Sequence, residues 1–142
     1  MIAQSKRGQR GIPAGDFFKG MFETALEPDE MLLAVKFDAP KPGSGVAFTE
    51  MAERHGDFAI VAVAAVADQD GVTLGLGGIG PKPIVKRFDG LAERDVKAVL
   101  VGLAKSLDPQ SDPKADAAYR RRLARELGLQ TVWKAMERRH AV

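Results

Sequence analysis

The sequence predicts an α+β domain, in which an antiparallel sheet of three or four strands is followed by helices packed on one face of that sheet. Three observations predict this class. The 142 residues suffice for one hydrophobic core but not for two ordinary domains. An apolar run from Phe58 to Ala67 breaks at Asp68-Gln69-Asp70-Gly71 and resumes at Val72, which is a hairpin pattern. Further along, apolar residues recur at the spacing of one helical face, at Val96, Val99, Leu100 and Leu103.

Short elements are expected in the first 40 residues. Ser5 to Gly15 is rich in glycine and basic residues and predicts a loop or a frayed edge strand. Asp16-Phe17-Phe18 offers a helix N-cap followed by a short apolar turn. Glu27 to Glu30 contains a proline that presets a turn. Met31 to Phe37 then predicts a strand, which a proline-stiffened connector ends.

The middle of the chain predicts the sheet. Val46 to Met51 alternates apolar and polar side chains and indicates a second strand. The segments Phe58 to Ala67 and Val72 to Leu76 form the two arms of the predicted hairpin. Three or four antiparallel strands therefore occupy this region.

Helices are expected after the sheet. The first ends at Asp108-Pro109, because a proline disfavours helical backbone at the residue before it. A second helix is predicted from about Ala115 to Leu127. Gly128 is expected to break or kink it, and Trp133 and Met136 indicate a last short helix.

The composition excludes several functional classes. Apolar residues make up 45% and charged residues 28%, the balance of a globular chain, and a net charge of +2 is too small to predict nucleic-acid binding. The absence of cysteine excludes disulfides, iron–sulfur clusters and thiolate zinc sites from this chain. The longest apolar run, Phe58 to Ala67, is too short for a bilayer, and the N-terminus does not look like a secretory signal. We therefore expect a cytoplasmic location and no membrane partner.

A glycine-rich segment, Gly75 to Gly80, matches the G-x-G-x-x-G pattern of dinucleotide sites. Such a site needs a helix N-terminus directly after it, but Pro81-Lys82-Pro83 follows here. We interpret the glycines as a strand end where another backbone packs closely.

The densest group of ionisable residues is Glu53-Arg54-His55-Gly56-Asp57. An arginine or aspartate here could hydrogen-bond a cofactor ring or a phosphate. The alternative, which we favour, is a turn between strands whose aspartate caps backbone amides. Neither His55 nor His140 has the neighbours of a zinc site or a catalytic triad.

Arginines are frequent near the C-terminus, at Arg120, Arg121, Arg122, Arg125, Arg138 and Arg139. They could form a phosphate-binding stripe. Consecutive helical residues point in different directions, however, so solvated faces and salt bridges to partners are the preferred interpretation.

Four segments together resemble one family. Ile12 to Gly20, continuing through Phe22-Glu23-Thr24 to Glu30, resembles the "IPAxDFFxG…T.L.PxE" opening of the C-terminal domain in the flavin subunits of molybdenum hydroxylases. Arg54 to Ala59 resembles "(R/K)xGD(F/Y)A", and Leu76 to Pro83 is similar to "LGGVGPTP". Ser111-Asp112 with Ala118 to Ala124 resembles "SD…AxYRxxLA". The carbon monoxide dehydrogenase and xanthine dehydrogenase flavoproteins belong to this family.

The resemblance implies an accessory role. In such subunits an N-terminal region binds FAD, and this domain closes one side of the flavin site. Electrons pass from a molybdenum-cofactor subunit through an iron–sulfur subunit to FAD, so those subunits and the FAD-binding region are the implied partners. The resemblance also places Phe22, Arg54 and Asp57 where they could contact the flavin. It implies no catalytic residue, because the cofactors carry the chemistry, and we expect that this chain does not bind FAD alone.

The resemblance divides the chain into residues 1–15, an edge segment at a domain boundary, and residues 16–142, the flavoprotein C-terminal domain. We expect a fragment or split subunit without the FAD-binding half. Two alternatives remain open. The chain could be a cofactor-free interaction module that binds partner subunits or itself through exposed apolar surface. It could also be a small nucleic-acid binder, although interleaved aromatic residues are lacking.

Overall fold

The computed structural model describes residues 1–139. Two compact units make up the chain, residues 1–40 and a second unit that begins at Lys41. The first unit contains residues 1–15, because strands in that stretch pair with a strand at residues 31–34. The domain boundary after Gly15, which the family resemblance predicts, stays a prediction. His140 lies outside the described residues.

The first unit is built from short elements. They are β1 (Ile2–Ser5), β2 (Gly8–Gly11), the one-turn helix α1 (Ala14–Phe17), β3 (Phe18–Gly20), β4 (Glu23–Thr24) and β5 (Met31–Ala34). The strands β2, β1 and β5 form an antiparallel sheet in that order, and β3 pairs with β4. The expected edge strand within Ser5 to Gly15 is confirmed as β2, and the expected strand from Met31 is confirmed but ends at Ala34.

The predicted N-cap at Asp16 is wrong. The helix α1 begins at Ala14 with Pro13 in the cap position, and Asp16 lies inside its only turn. Proline suits this place because its ring fixes φ, here at −55°, near the helical value and it needs no partner for an N–H group.

The second unit carries the main sheet and the longer helices. Its elements are β6 (Gly45–Met51), β7 (Val61–Ala67), β8 (Gly71–Gly77), β9 (Ile84–Asp89), a 3-10 turn (Glu93–Asp95), α2 (Val96–Ser106) and α3 (Ala117–Arg139). The four strands are antiparallel and lie in chain order. The predicted α+β class is confirmed, and the sequence patterns anticipated every strand of this sheet except β9.

The hairpin between β7 and β8 is also confirmed. Ala67 pairs with Val72, and the Asp68 carboxylate accepts hydrogen bonds from the backbone N–H groups of Asp70 and Gly71, both at 3.0 Å. Side chains alternate along β7, so that Val61 and Val63 are buried on the face that the helices cover. The main core therefore lies between this face and the helices.

The prediction that Gly128 breaks the last helix is wrong. The helix α3 runs without interruption from Ala117 to Arg139. Gly128 faces α2, and a Cβ atom added there would lie 2.6 Å from Cδ1 of the buried Leu100. The close approach of α2 explains the glycine, because the packing of this helix outweighs its low helical propensity of about 1 kcal/mol.

The other side of the main sheet, which we call the open face, is not covered by α2 or α3. On this face, Val46 of β6 lies beside Val66 of β7, and Phe48 of β6 lies beside Ala64 of β7. Ala64 in turn lies beside Gly75 of β8. Phe48 is 61% exposed. Small residues thus form the middle of this face and larger apolar residues its margin.

Candidate functional site

Phe22, the aromatic residue that the resemblance singles out, occupies the turn between β3 and β4 of the first unit. Its side chain is fully exposed. Its φ is 58°, which makes it the one non-glycine residue with positive φ among residues 1–139. A bulky residue is uncommon in this conformation. Residues with such strained backbone are found most often at functional sites, where the side chain has a role that glycine could not fill.

Arg54 and Asp57 lie together in the second unit, on the loop of residues 52–60 that joins β6 to β7. The backbone N–H of Asp57 donates to the carbonyl of Arg54 at 3.1 Å and closes a tight turn. Arg54, His55 and Asp57 are exposed, and Phe58 is 95% exposed. The favoured interpretation of a turn between strands is confirmed. The expected capping by its aspartate is wrong, since the exposed Asp57 carboxylate accepts no hydrogen bond from a backbone amide of residues 1–139.

A buried arginine holds the end of this loop. The Nη1 group of Arg120 donates to the carbonyl oxygens of Ile60, at 2.5 Å, and of Gly78, at 2.8 Å. Its Nη2 group donates to the Asp112 carboxylate at 2.6 Å. The side chain is only 8% exposed. One guanidinium therefore fixes three segments that are far apart in sequence.

Gly78 makes this arrangement possible. Its φ is +77°, and a Cβ atom there would collide with the carbonyl oxygen of Ile60. The glycine segment thus packs backbone against backbone with the start of β7, and the extended strand β9, not a helix, follows it. The interpretation of the glycine pattern as a close-packed strand end is confirmed.

Three of the four family-like segments meet at Arg120. The segment Arg54 to Ala59 leads directly to Ile60, Leu76 to Pro83 contains Gly78, and the last segment contributes both Asp112 and Arg120. The preferred interpretation of Arg120 as part of a solvated face or of a salt bridge to a partner is wrong, because its side chain is buried and holds these segments together. No side-chain pattern in the sequence indicated this role, because two of the three partners of Arg120 are backbone carbonyls.

Asp112 is prepared for its partner by local geometry. Its carboxylate accepts hydrogen bonds from the backbone N–H groups of Ala115 and Lys114, both at 2.9 Å. These bonds, that from Ala115 first, and the Arg120 guanidinium lower the pKa of Asp112. The carboxylate is therefore ionised near neutral pH, and its pair with Arg120 is a charged one.

The remaining arginines do not form one stripe. Arg121 donates to the Leu107 carbonyl at 2.9 Å, and Arg122 lies over the Tyr119 ring, 5.3 Å from its centroid. Arg138 donates to the Val46 carbonyl at 2.6 Å and so ties α3 to β6. The expected divergence of consecutive arginines is confirmed for Arg120, which is buried, whereas Arg121 and Arg122 line one depression between α2 and α3 together with Arg125.

No group of three His, Cys, Asp or Glu side chains in residues 1–139 could hold a metal ion. None of the helices in the same range combines the length and the apolar character needed to cross a membrane.

Curated proteins similar to this chain are medium chains and related subunits of dehydrogenases. The chain is 29% identical to the carbon monoxide dehydrogenase medium chain of Afipia carboxidovorans, over 82% of the chain and 45% of that protein. It is 31% identical to the caffeine dehydrogenase subunit beta of Pseudomonas sp. strain CBB1, over 97% of the chain and 51% of that protein. The nicotine 6-hydroxylase medium subunit of Paenarthrobacter nicotinovorans is 33% identical, with 93% and 50% covered. No protein-family model matches the chain.

Solved structures agree with these similarities. Carbon monoxide dehydrogenase from Hydrogenophaga pseudoflava superposes with a TM-score of 0.84 at 23% identity, which shows a shared fold, over 96% of this chain and 52% of that one. Quinoline 2-oxidoreductase from Pseudomonas putida 86 gives a TM-score of 0.80 at 26% identity, with the same coverage. The chain spans about half the length of the relatives it matches. It is a homologue of the medium chain of carbon monoxide dehydrogenase and of related molybdenum-hydroxylase medium subunits, as the four segments predicted.

Proposed function

We propose that the chain is the C-terminal domain of a molybdenum-hydroxylase flavin subunit and closes one side of an FAD site. Its partners are an FAD-binding domain or subunit, a molybdenum-cofactor subunit and an iron–sulfur subunit, in the cytoplasm. FAD supplies the electron-accepting chemistry, and this chain supplies shape and electrostatics around it.

The observation that carries the proposal is the exposed turn at Arg54 to Phe58 on a rigid support. Arg120 and the packing at Gly78 fix the end of the loop, while Arg54, Asp57 and Phe58 remain exposed. Exposed charged and aromatic side chains on a loop that a packed core holds in place are typical of a binding surface.

The residues fit a cover for the flavin ring better than a holder of the whole dinucleotide. In the second unit, Phe58 offers an exposed ring for stacking, and Arg54 and Asp57 offer a donor and an acceptor. Phe22 offers an exposed ring in the first unit. In contrast, the glycine segment at Gly78 leads into β9, so it presents no helix N-terminus to a pyrophosphate. The adenine and pyrophosphate would be held by another domain.

Co-expression with an FAD-binding half from a similar medium chain tests the proposal. A yellow complex with about one flavin per chain is expected, whereas the purified chain alone should take up no FAD. The Phe22→Ala variant should weaken flavin retention in the complex, while Phe37→Ala, which removes another exposed phenylalanine of the first unit, should not. Failure of the two halves to associate, or equal effects of both variants, would contradict the proposal.

A second candidate function is a cofactor-free interaction module that binds partner subunits or itself. The open face favours it, because exposed apolar side chains such as Phe48 and Val85 frame its smooth centre. Light scattering and pull-down against the molybdenum and iron–sulfur subunits distinguish this candidate from the first. It predicts association without flavin that Phe48→Lys abolishes, and a strict monomer that captures none of the subunits would contradict it.

A further inference from the structure

A groove runs along the outer surface between α2 and α3, which we call the basic groove. Two adjoining depressions of about 250 and 510 Å³ form it. Val101 and Arg125 border both depressions, so the groove is continuous. Apolar residues of both helices, including Ala104 and Leu129, contribute to its walls, and the half-exposed Trp133 borders it at one end.

Positive charge is concentrated in this groove. One carboxylate, that of Glu126, lines it together with five cations, Lys97, Lys105, Arg121, Arg122 and Arg125. The whole chain has a formal net charge of only +2, so the residues outside the groove are net negative. The charge is therefore a property of this surface and not of the chain as a whole.

Several of these cations are available to a partner. Arg125 pairs with Glu126, and Arg121 contacts Asp108 at 3.4 Å. Lys97, Lys105 and Arg122 form no ion pair with any residue in the described range 1–139. Neighbouring like charges without counter-charges destabilise one another, and an anionic partner would relieve that repulsion.

The dimensions of the groove select the kind of partner. The α3 residues that line it run from Ala118 to Trp133, which corresponds to about 22 Å of helix. That length exceeds a single phosphate and matches about four turns of a partner helix or an extended segment of about seven residues. The apolar walls call for apolar side chains, and one tryptophan provides no series of aromatic platforms for nucleotide bases.

We infer that the basic groove docks an acidic segment of a partner protein that carries both carboxylates and apolar side chains. The cations would steer and bind the carboxylates of the segment, and apolar contacts with the partly exposed Val101 and Trp133 would add to the affinity. This inference goes beyond the flavin-cover function and is independent of flavin.

Trp133 makes the groove directly observable, because it is the only tryptophan of the chain. The probe is a 16-residue peptide with leucine at helical spacing, glutamate elsewhere and no aromatic residue. We expect a saturable change of Trp133 fluorescence with this peptide and none with a matched peptide in which glutamine replaces glutamate. The salt dependence of binding should be steep.

Two double variants, one that reverses charges inside the groove and one that reverses charges outside it, are compared. The Lys105→Glu/Arg122→Glu variant should weaken peptide binding about tenfold or more. The Lys82→Glu/Lys86→Glu variant makes the same change in net charge at two exposed lysines outside the groove and should leave binding nearly unchanged. Equal weakening in both variants overturns the inference. If circular dichroism shows that the groove variant is unfolded, the Lys105→Ala/Arg122→Ala variant replaces it in the same comparison.

Other anions serve as competing probes. Inorganic pyrophosphate, a 20-nucleotide single-stranded DNA and vesicles with 30% phosphatidylserine are titrated in the same assay. The inference is overturned if one of them saturates the Trp133 signal in a groove-dependent way while the acidic peptide leaves it unchanged.

Discussion

The two units of the chain are stabilised in different ways. Within its described part, residues 41–139, the second unit has one continuous core of 21 buried residues between the main sheet and its helices. The first unit buries three hydrophobic residues, Ala3, Ile12 and Phe17, and adds ion pairs such as Arg10 with Glu30 at 2.6 Å. A 40-residue unit with so small a core has little stability of its own. Arg54 and Asp57 are thus presented by a well-packed body, whereas Phe22 depends on a marginal one.

The largest expected effect tests whether Arg120 is central to the stronger unit. Arg120→Met removes the hydrogen bonds to the carbonyls of Ile60 and Gly78 and leaves those groups unpaired. We expect the free energy of unfolding of the second unit to fall by about 3 kcal/mol or more. Urea denaturation followed by Trp133 fluorescence measures it.

The neighbouring arginine provides the control for that experiment. Arg121→Met removes a more exposed side chain with one backbone contact and should cost less than about 1 kcal/mol. Arg120→Lys should lie between the two, because a lysine keeps the charge but cannot reach three acceptors in a fork. Similar losses for Arg120→Met and Arg121→Met would show that the three segments do not depend on Arg120.

A second prediction concerns the contact between α2 and α3. Gly128→Ala places a methyl group against Leu100, and we expect a net loss of about 1 kcal/mol despite the higher helical propensity of alanine. In a Leu100→Ala background the same change should become stabilising, because the methyl group then enters the space left by leucine. The sign change is measured in a double-mutant cycle, and its absence would indicate a looser helix contact.

The third prediction moves to the weaker unit. Phe22→Gly removes a side chain that makes no buried contact and relieves the positive φ, so the first unit should gain about 1 kcal/mol. Amide hydrogen exchange of β1 and β2 reports on this unit. Phe37→Gly, at an exposed position without positive φ, should give no gain. A loss on Phe22→Gly would mean that the ring packs against something in the isolated chain.

The smallest expected effect is a pH dependence in the first unit. The Arg10 guanidinium, with help from the backbone N–H of Glu27, lowers the pKa of Glu30 to about 2. A lowered pKa contributes stability above the unfolded value of 4.5, and this stability is lost as the pH falls from there towards 2. Protection factors of β1 amides, corrected for intrinsic exchange, should decline across this window. Glu30→Gln should remove the decline, and Glu23→Gln, which changes an exposed carboxylate, should not.

The second unit also contains an ion pair that is sensitive to acid, formed by Arg87 and Asp68. The Arg87 guanidinium, together with the backbone N–H of Asp70, lowers the pKa of Asp68. Its stabilising contribution is likewise lost as the pH falls. The large core of the second unit should keep it folded at a pH where the first unit has already lost protection.

Much of the fold followed from local patterns. Alternation predicted β6, a continuous apolar run predicted β7, and the Asp-Gly break after that run predicted β8. The strand β9 was missed because Ile84 to Asp89 is half polar and lies at the sheet edge, where periodicity is weak. The unbroken course of α3 was missed because it depends on Leu100, a residue 28 positions away, and no local propensity encodes that contact.

The candidate site was less predictable than the fold. Family resemblance selected Phe22, Arg54 and Asp57, and their exposure agrees with a surface role that remains a prediction. Arg120 was missed because two of its three partners are the backbone carbonyls of Ile60 and Gly78, which have no side-chain signature in the sequence. Such contacts become visible only when distant segments are brought together.

The unbroken helix α3 has a consequence for biosynthesis. It contacts β6, β7 and β8, all of which precede it by many residues. During translation the sheet therefore leaves the ribosome with one apolar side uncovered until the helix follows. A truncated product that stops before Ala117 would keep that surface exposed, so we expect it to aggregate or to be captured by chaperones. The second unit can therefore complete its core only after the last helix has been synthesised.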